Sequence, residues 1–319
     1  MAIPHLEPAP HTVHWGFFEA DLKPLVTIAS GDRVTLSTVS GTRDMMPASP
    51  LVVPPALAAI HASNARRMVP GHICTGPVAI AGARPGQVLQ VEIEAIEPYY
   101  DWGYTHVRPL VGALPDDFSE LRVIHSVLDR TAKVWRLPWG QTVPFAPFFG
   151  VMAVAPPAAW GTVSTLPPRR NGGNLDNKEL VAGTTLYLPI FTPEALFSVG
   201  DGHGVQGDGE VSGLAMECPM EAELEFHLHP GMRLSMPRAL TAAGWVTFGF
   251  HEDLNEATVT ALDGMLSLMQ EQLGCERKEA IALASLVVDL HVTQLVNGVR
   301  GVHAILRDGA LIADQPRGR

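Results

Sequence analysis

Two stretches of strict alternation constrain this chain most. Leu89, Val91 and Ile93 alternate with Gln90, Glu92 and Glu94, and Ala222, Leu224, Phe226 and Leu228 alternate with Glu221, Glu223, Glu225 and His227. A period of two is the signature of a strand with one face buried and one wet. Arg84-Pro85-Gly86 supplies the turn before the first stretch. The 30 glycines and 27 prolines are scattered along the 319 residues without a repeat, which fits many turns between short strands rather than a fibrous or low-complexity chain.

Shorter signals extend the pattern. Leu25–Ile28 and Arg33–Thr38, separated by Ser30-Gly31-Asp32, read as a hairpin. Leu57–Arg67 forms one short helical pattern inside a proline-rich stretch, and the irregular segment 154–177 is long enough to carry function or to cover a site. The last third changes character. Leu262, Met265, Leu266, Met269 and Leu273 lie on one helical stripe that ends at Gly274. Glu276–Val296 reads as a second helix, apolar on most sides and therefore expected to be buried, with Asp289 and His291 interrupting it. Val302–Leu306 reads as a closing strand. The expected fold is mainly β, a sandwich-like or barrel-like body with an α+β C-terminal portion containing two helices. The division expected is a β-rich segment 1–165 and a second segment 166–319 closely packed on it.

Charge narrows the partners. A formal net charge of −11, with Arg66-Arg67 and Arg169-Arg170 as the densest basic clusters, offers no basic face for nucleic acid. A neutral ligand is indifferent to that field. No run of about 18 apolar residues is present to cross a membrane. Neither a basic segment followed by an apolar core nor metal-type cysteine pairing appears, and the three cysteines favour a reducing compartment. The expected location is cytoplasmic.

Chemistry concentrates in Gly200–Glu210, where Asp201, His203, Asp208 and Glu210 stand among five glycines. A tight loop of this kind can aim an imidazole and several carboxylates at one point, as a metal or acid–base site requires. The same residues can equally form a glycine-rich turn with solvated acids. Gly202-x-Gly204-x-x-Gly207 formally matches a dinucleotide fingerprint, but no helix pattern follows and Val211–Cys218 reads as strand-like, so no nucleotide cofactor is expected. Asn171–Asn177 is rich in turn residues. His72, in Gly71–Pro77, is by itself as well explained by packing as by ligation. Trp102 and Tyr104 either line a pocket or pack in a core. Cys218 reads as a buried thiol rather than a nucleophile, and no serine nucleophile motif is present.

Taken in order, His14-Trp15, Gly71–Val78, Gly82–Gly86, Gly173–Asp176, Thr185–Ile190, Gly200–Glu210 and Ser285–Leu295 resemble the acetamidase/formamidase family over nearly the whole chain. The resemblance implies a homo-oligomer and a small neutral amide as substrate, formamide or acetamide, cleaved to carboxylate and ammonia by metal-activated water. It also implies a metal-dependent site built from these polar loops, in which, by residue type, Asp176, Asp201 and His203, with His72, are expected to hold the divalent ion. Mixed imidazole and carboxylate donors suit zinc, with calcium the less natural choice. Glu210 is then expected as the proton-transferring group with Asp208 supporting it, and Asn174 and Trp102 as substrate contacts. The rival expectation is a non-catalytic β-sandwich binding module with a structural calcium.

Overall fold

The computed structural model describes residues 3–311, and the architecture is mainly β. Two large sheets carry it. The nine-stranded sheet runs in the order His5–Leu6, Arg33–Thr38, Met220–His229, Val88–Pro98, Thr184–Pro189, Arg238–Thr241, Gly244–His251, Val299–Arg307, Val288–Asn297. The second runs Gly172–Asn174, Phe148–Ala153, Phe197–His203, Ile73–Ile80, Val13–Trp15, with Val26–Ile28 also paired to Ile73–Ile80. A smaller four-stranded sheet, Trp102–Val107 to Thr142–Pro144, flanks them.

Both alternating stretches are central strands of the nine-stranded sheet and neighbours in it, Ala222 lying opposite Ile96 and Phe226 opposite Val91. Their apolar residues point inward. Leu89, Val91, Leu224 and Phe226 share one core with Val78, Met152, Phe197 and Val199 of the second sheet, which makes the body a sandwich. Phe197 meets Phe226 edge-to-face across that core at 5.1 Å. The outward glutamates are not idle: Arg33 bridges Glu223 at 2.9 Å and Glu225 at 2.5 Å on the solvent side. Both large sheets take strands from either side of residue 165, so the two segments interleave within the same layers.

Three local expectations are corrected. Val26–Ile28 and Arg33–Thr38 do not form a hairpin. The first pairs in parallel with Ile73–Ile80 in one sheet and the second pairs with Met220–His229 in the other, so Ser30-Gly31-Asp32 is a crossing between layers. Val211–Cys218 is irregular rather than a strand. The second C-terminal helix is shorter than its apolar pattern suggests. Helix α1, Pro55–Ala62, comes first, then α2, Leu254–Leu273, and α3, Arg277–Val287; beyond α3 the chain continues as the strand Val288–Asn297.

The physical reason lies at Val287-Val288 and the β-branched residues that follow. A partner edge was available, and Val288, Leu290 and Val292 pair with Leu306, Ala304 and Val302. Nor is α3 buried: Ala280 and Ala284 face α2 while Leu286 is 80% exposed. Helix α2 behaves as its stripe predicts. Asp253 caps it by accepting from the Asn255 and Glu256 amides, Gly274 closes it in the left-handed conformation, and Met265 and Met269 are buried against the sheet.

Helix α2 approaches its sheet so closely that one strand position must lack a side chain. A Cβ on Gly249 would lie 2.0 Å from the Ala257 carbonyl oxygen and 2.5 Å from the Ala261 amide nitrogen. Backbone cannot yield as a flexible side chain can. Gly249→Ala is therefore expected to destabilise the chain by about 1–3 kcal/mol or more, read as a lowered urea midpoint with little change in slope; an unshifted midpoint would contradict this packing.

Candidate metal centre and cavity

The strand Phe197–His203 sends Asp201 and His203 to the same side, two residues apart. Its neighbour Phe148–Ala153 pairs Phe149 with Gly202 and Val151 with Gly200, which leaves Gly150 facing these two side chains. Gly150 is the floor of the centre. A Cβ there would lie 2.4 Å from Asp201 Oδ2, 2.6 Å from Asp176 Oδ1 and 2.8 Å from His203 Cε1. The same glycine carbonyl accepts from Leu175 N at 2.8 Å, which swings Asp176 over it.

Around that floor five groups converge. Asp201 and Glu217 lie 3.1 and 3.2 Å from His203 Nε2, yet neither is aligned well enough to form a hydrogen bond with it. Asp176, His203 and Glu210 each offer a ligand atom within 4.8 Å of one another, and so do Asp201, His203 and Glu217. All five are buried. His72 stands at the edge, its Nδ1 3.2 Å from the Thr165 hydroxyl and its Nε2 3.7 Å from Asp201 Oδ2.

The supporting contacts set the chemistry of these donors. Gln206 Oε1 accepts from His203 Nδ1 at 2.9 Å, while Gln206 Nε2 donates to the Asp176 carbonyl at 2.7 Å. That bond fixes a proton on Nδ1 and leaves Nε2 as the nitrogen that a cation could claim in place of its proton. Asn297 Nδ2 donates to Asp176 Oδ2 at 2.5 Å, so Oδ1 is left without a partner. Asp176, Asp201 and Glu210 adopt φ of 48°, 61° and 47°. Such left-handed backbone at non-glycine residues costs of order 1–3 kcal/mol each and tends to persist at functional positions.

Electrostatics expose the tension. Burial, reinforced by Asp201 and Glu217, pushes the Glu210 carboxyl up to about 8. Burial and Asp201 likewise push Glu217 up to about 8. Burial, with Glu210 nearby, holds Asp176 well above the carboxylate range. Burial would also raise Asp201, but the adjacent His72 and His203 outweigh it and keep it ionised. Burial would lower His203; the carboxylates of Glu217 and Asp201 raise it instead. Four carboxyl groups around one imidazole in a dry pocket cannot all ionise by themselves.

A cation relieves that conflict. The orphaned Asp176 Oδ1 and His203 Nε2, both buried, together with the side-chain-free floor at Gly150, fit a divalent ion, with the orphaned Glu210 Oε2 close by.

The remaining expected residues fall at different distances. Asn174 is buried with its Oδ1 unpartnered and lines a cavity of about 350 Å³ that opens from the centre, together with His72, Asp201, Glu210 and Glu217. Trp102 is not among the lining residues. Its indole donates to the Val52 carbonyl at 2.9 Å and packs behind Tyr104, which does face the cavity. Asp208 lies in a neighbouring cluster, bound by Lys178 at 2.8 Å and His291 at 3.2 Å. There it anchors the loop that carries Glu210, which Gly209 also ties to Thr293 and Leu295 through the backbone. Asp208 thus stands beside the centre and not among its five converging groups.

Glu217, Gln206, Asn297 and Gly150 were not singled out by sequence. Glu217 sits in an ordinary Met-Glu-Cys-Pro run, and only its bridge pairing with Tyr104 and His203 brings it in.

A sandwich with a buried His/carboxylate centre at the end of a cavity defines the class, and comparison with known proteins supplies the family. The Acetamidase/Formamidase family matches residues 17–162 and 157–305, and the chain belongs to it. It is 31% identical over 194 residues to a Schizosaccharomyces pombe protein described only provisionally as a formamidase, covering 44% of this chain and 47% of that one. It is 27% identical over 203 residues to an acetamidase of Mycolicibacterium smegmatis, covering 46% and 50% respectively. The matches thus span about half the length of these curated relatives. A crystal structure of an acetamidase from Yersinia enterocolitica superposes with a TM-score of 0.83 at 25% identity, over 98% of this chain and 94% of that one.

The buried acids make stability depend on pH and on metal. Glu210 and Glu217 in the ion-free folded chain keep protons between their ordinary value of 4.5 and about 8, whereas the unfolded chain has lost them. At these two groups the folded state binds more protons, so their contribution to the stability of the chelated protein falls as pH rises through that window. Buried His14, His106 and His303, held low by burial, act in the opposite sense below their ordinary value of 6.5. The thermal midpoint should therefore fall between pH 7 and pH 8, and zinc added at pH 7 should release protons; a midpoint that climbs from pH 7 to pH 8 would contradict the assignment. Separately, Gly150→Ala should abolish stoichiometric metal binding, measured by elemental analysis of purified protein.

Proposed function

We propose that this chain hydrolyses a carboxamide to the carboxylate and ammonia, using a divalent ion held by Asp176, Asp201 and His203 with His72 at the rim. The observation that carries the reading is the convergence of these groups with Glu210 and Glu217 at the closed end of a cavity, in a member of this family. The imidazoles of His203 and His72 among the donors favour zinc over calcium. When bound, the ion would polarise the carbonyl and lower the pKa of water.

The residues supply the rest. Asn174 Oδ1, an unpartnered acceptor facing the cavity, receives an N–H of the substrate amide and turns its carbonyl toward the centre. Glu210 takes the proton as water adds to the carbonyl carbon, then delivers it to the nitrogen as the C–N bond breaks and ammonia leaves. Burial and the neighbouring carboxylates raise this carboxyl in the ion-free chain, and a bound cation would draw it back toward the range in which one group can both take and return a proton. Glu217 sits against His203 Nε2 and Asp201, and it balances the charge of the centre. Apolar side chains around the cavity keep bulk water from the addition step.

The reading extends to the whole molecule. Three unpaired cysteines, two of them buried, fit a reducing cytoplasm. The exposed Ile281, Leu286 and Leu290 fit a further subunit against the C-terminal portion, as a homo-oligomer requires.

Ammonia release from formamide and acetamide, with chelated and metal-restored protein, tests the proposal. Glu210→Gln should retain the metal and lose about 10²–10⁴-fold in kcat; a near-normal rate removes Glu210 from proton transfer. Calcium as the sole bound metal with no hydrolysis of any amide would favour a binding module instead.

A further inference from the structure

The cavity is too large for the smallest amides. Its volume is about 350 Å³, in the range of pockets that take ligands well beyond a few atoms. A water molecule occupies about 30 Å³ of liquid, and acetamide has only four non-hydrogen atoms. Most of the space therefore belongs to something attached to the carboxamide. Its walls are apolar, formed by Met45, Val111, Leu166, Leu214 and Val296.

Other groups that line the cavity are polar and unsatisfied. His106 is 4% exposed, and neither of its ring nitrogens has a partner. Ser40 Oγ is buried and unpartnered too. Arg108 lines the same space and makes no hydrogen bond or ion pair among the described residues. Asp44 is close enough for its charge to act on both Arg108 and His106, but it is exposed, already engaged by the Thr42 hydroxyl, and does not line the cavity.

These donors are set out along a ruler. Trp102–Val107 is a strand whose Tyr104 pairs with Glu217 at the centre. Within the strand residues two apart share a face, so His106 stands one step further from the centre than Tyr104, and Arg108 follows just past the strand's end. At about 3.3 Å per residue, His106 lies roughly 7 Å along the strand from Tyr104. Extended chain covers such a span in about six bonds.

Resting on hydrolysis of an amide at this centre, we propose that the preferred substrate is a monoamide of a dicarboxylic acid. Its carboxamide meets Asn174, Glu210 and the centre, its methylene body lies along the apolar walls, and its far carboxylate is received by Arg108, His106 and Ser40. An anion at a guanidinium left without a partner gains a charge-assisted bond that a neutral chain of the same length does not.

The test compares adipamic acid, hexanamide and acetamide as substrates of the metal-replete full chain, scored by ammonia release. Adipamic acid should exceed acetamide at least tenfold in kcat/KM, and exceed hexanamide as well. In Arg108→Ala the adipamic acid to hexanamide ratio should collapse toward one, and Arg108→Lys should restore part of it. Using the ratio separates recognition of the carboxylate from general damage to the fold. Acetamide cleaved as well as adipamic acid, or a ratio indifferent to Arg108, overturns this proposal while leaving amide hydrolysis intact. If no amide is cleaved, the amidase reading fails, and calorimetric titration of adipamic acid decides this one. Binding weakened by Arg108→Ala sustains it, and no binding overturns it.

Discussion

Carboxylates buried together repel, and the rest of this molecule is arranged around that fact. Asp176, Asp201, Glu210 and Glu217 share one dry space with a single fully buried imidazole. Each ionised group there loses hydration and meets neighbours of its own sign. Without a cation, protons must stay on some of them, which is why two glutamates are pushed to about 8. Such a centre survives only if the scaffold is stiff enough to prevent the groups from swinging out to solvent.

The sandwich supplies that stiffness. Asp201 and His203 stand on a strand hydrogen-bonded on both sides, between Phe148–Ala153 and Ile73–Ile80, with the main core directly behind. Asp176 and Glu210 come from loops, and each loop is tied down separately. Asn297 holds Asp176, and the pairing of Gly209 with Thr293 and Leu295 holds the Glu210 loop. Both ties come from the C-terminal strand Val288–Asn297. The α+β portion is thus joined to the chemistry, and a chain in which α3 ran on to residue 296 would have no strand to supply either bond.

The same design explains the division between polar and apolar parts of the cavity. The floor is a glycine because any side chain would displace the ligand atoms. The walls are apolar, drawn from Met45, Val111, Leu166, Leu214 and Val296, and among the described residues the side chains of His106 and Arg108, which also line the cavity, remain without partners. Burial of an unsatisfied imidazole is unfavourable unless something occupies the space, so its presence marks that part of the cavity as a place for a ligand.

Much of this was legible in the sequence, and the limits are physical. Alternation at Leu89–Glu94 and Glu221–Leu228 determines which face of each strand is buried, because side-chain direction follows residue spacing alone. The α2 stripe with its Asp253 and Gly274 ends is equally local. Asp201, His203 and Glu210 could be singled out because imidazole and acid among glycines is an unusual combination within a few residues. What the sequence could not decide was everything that depends on a partner. Val288–Asn297 became a strand because an edge was free to pair with it. Val26–Ile28 left its neighbour for another sheet. Asp208 turned to Lys178 and His291 rather than to the centre. Glu217, Gln206, Asn297 and Gly150 joined a site from positions with no chemical signature of their own, because proximity in space is set by strand register and loop closure, which no single stretch of residues encodes.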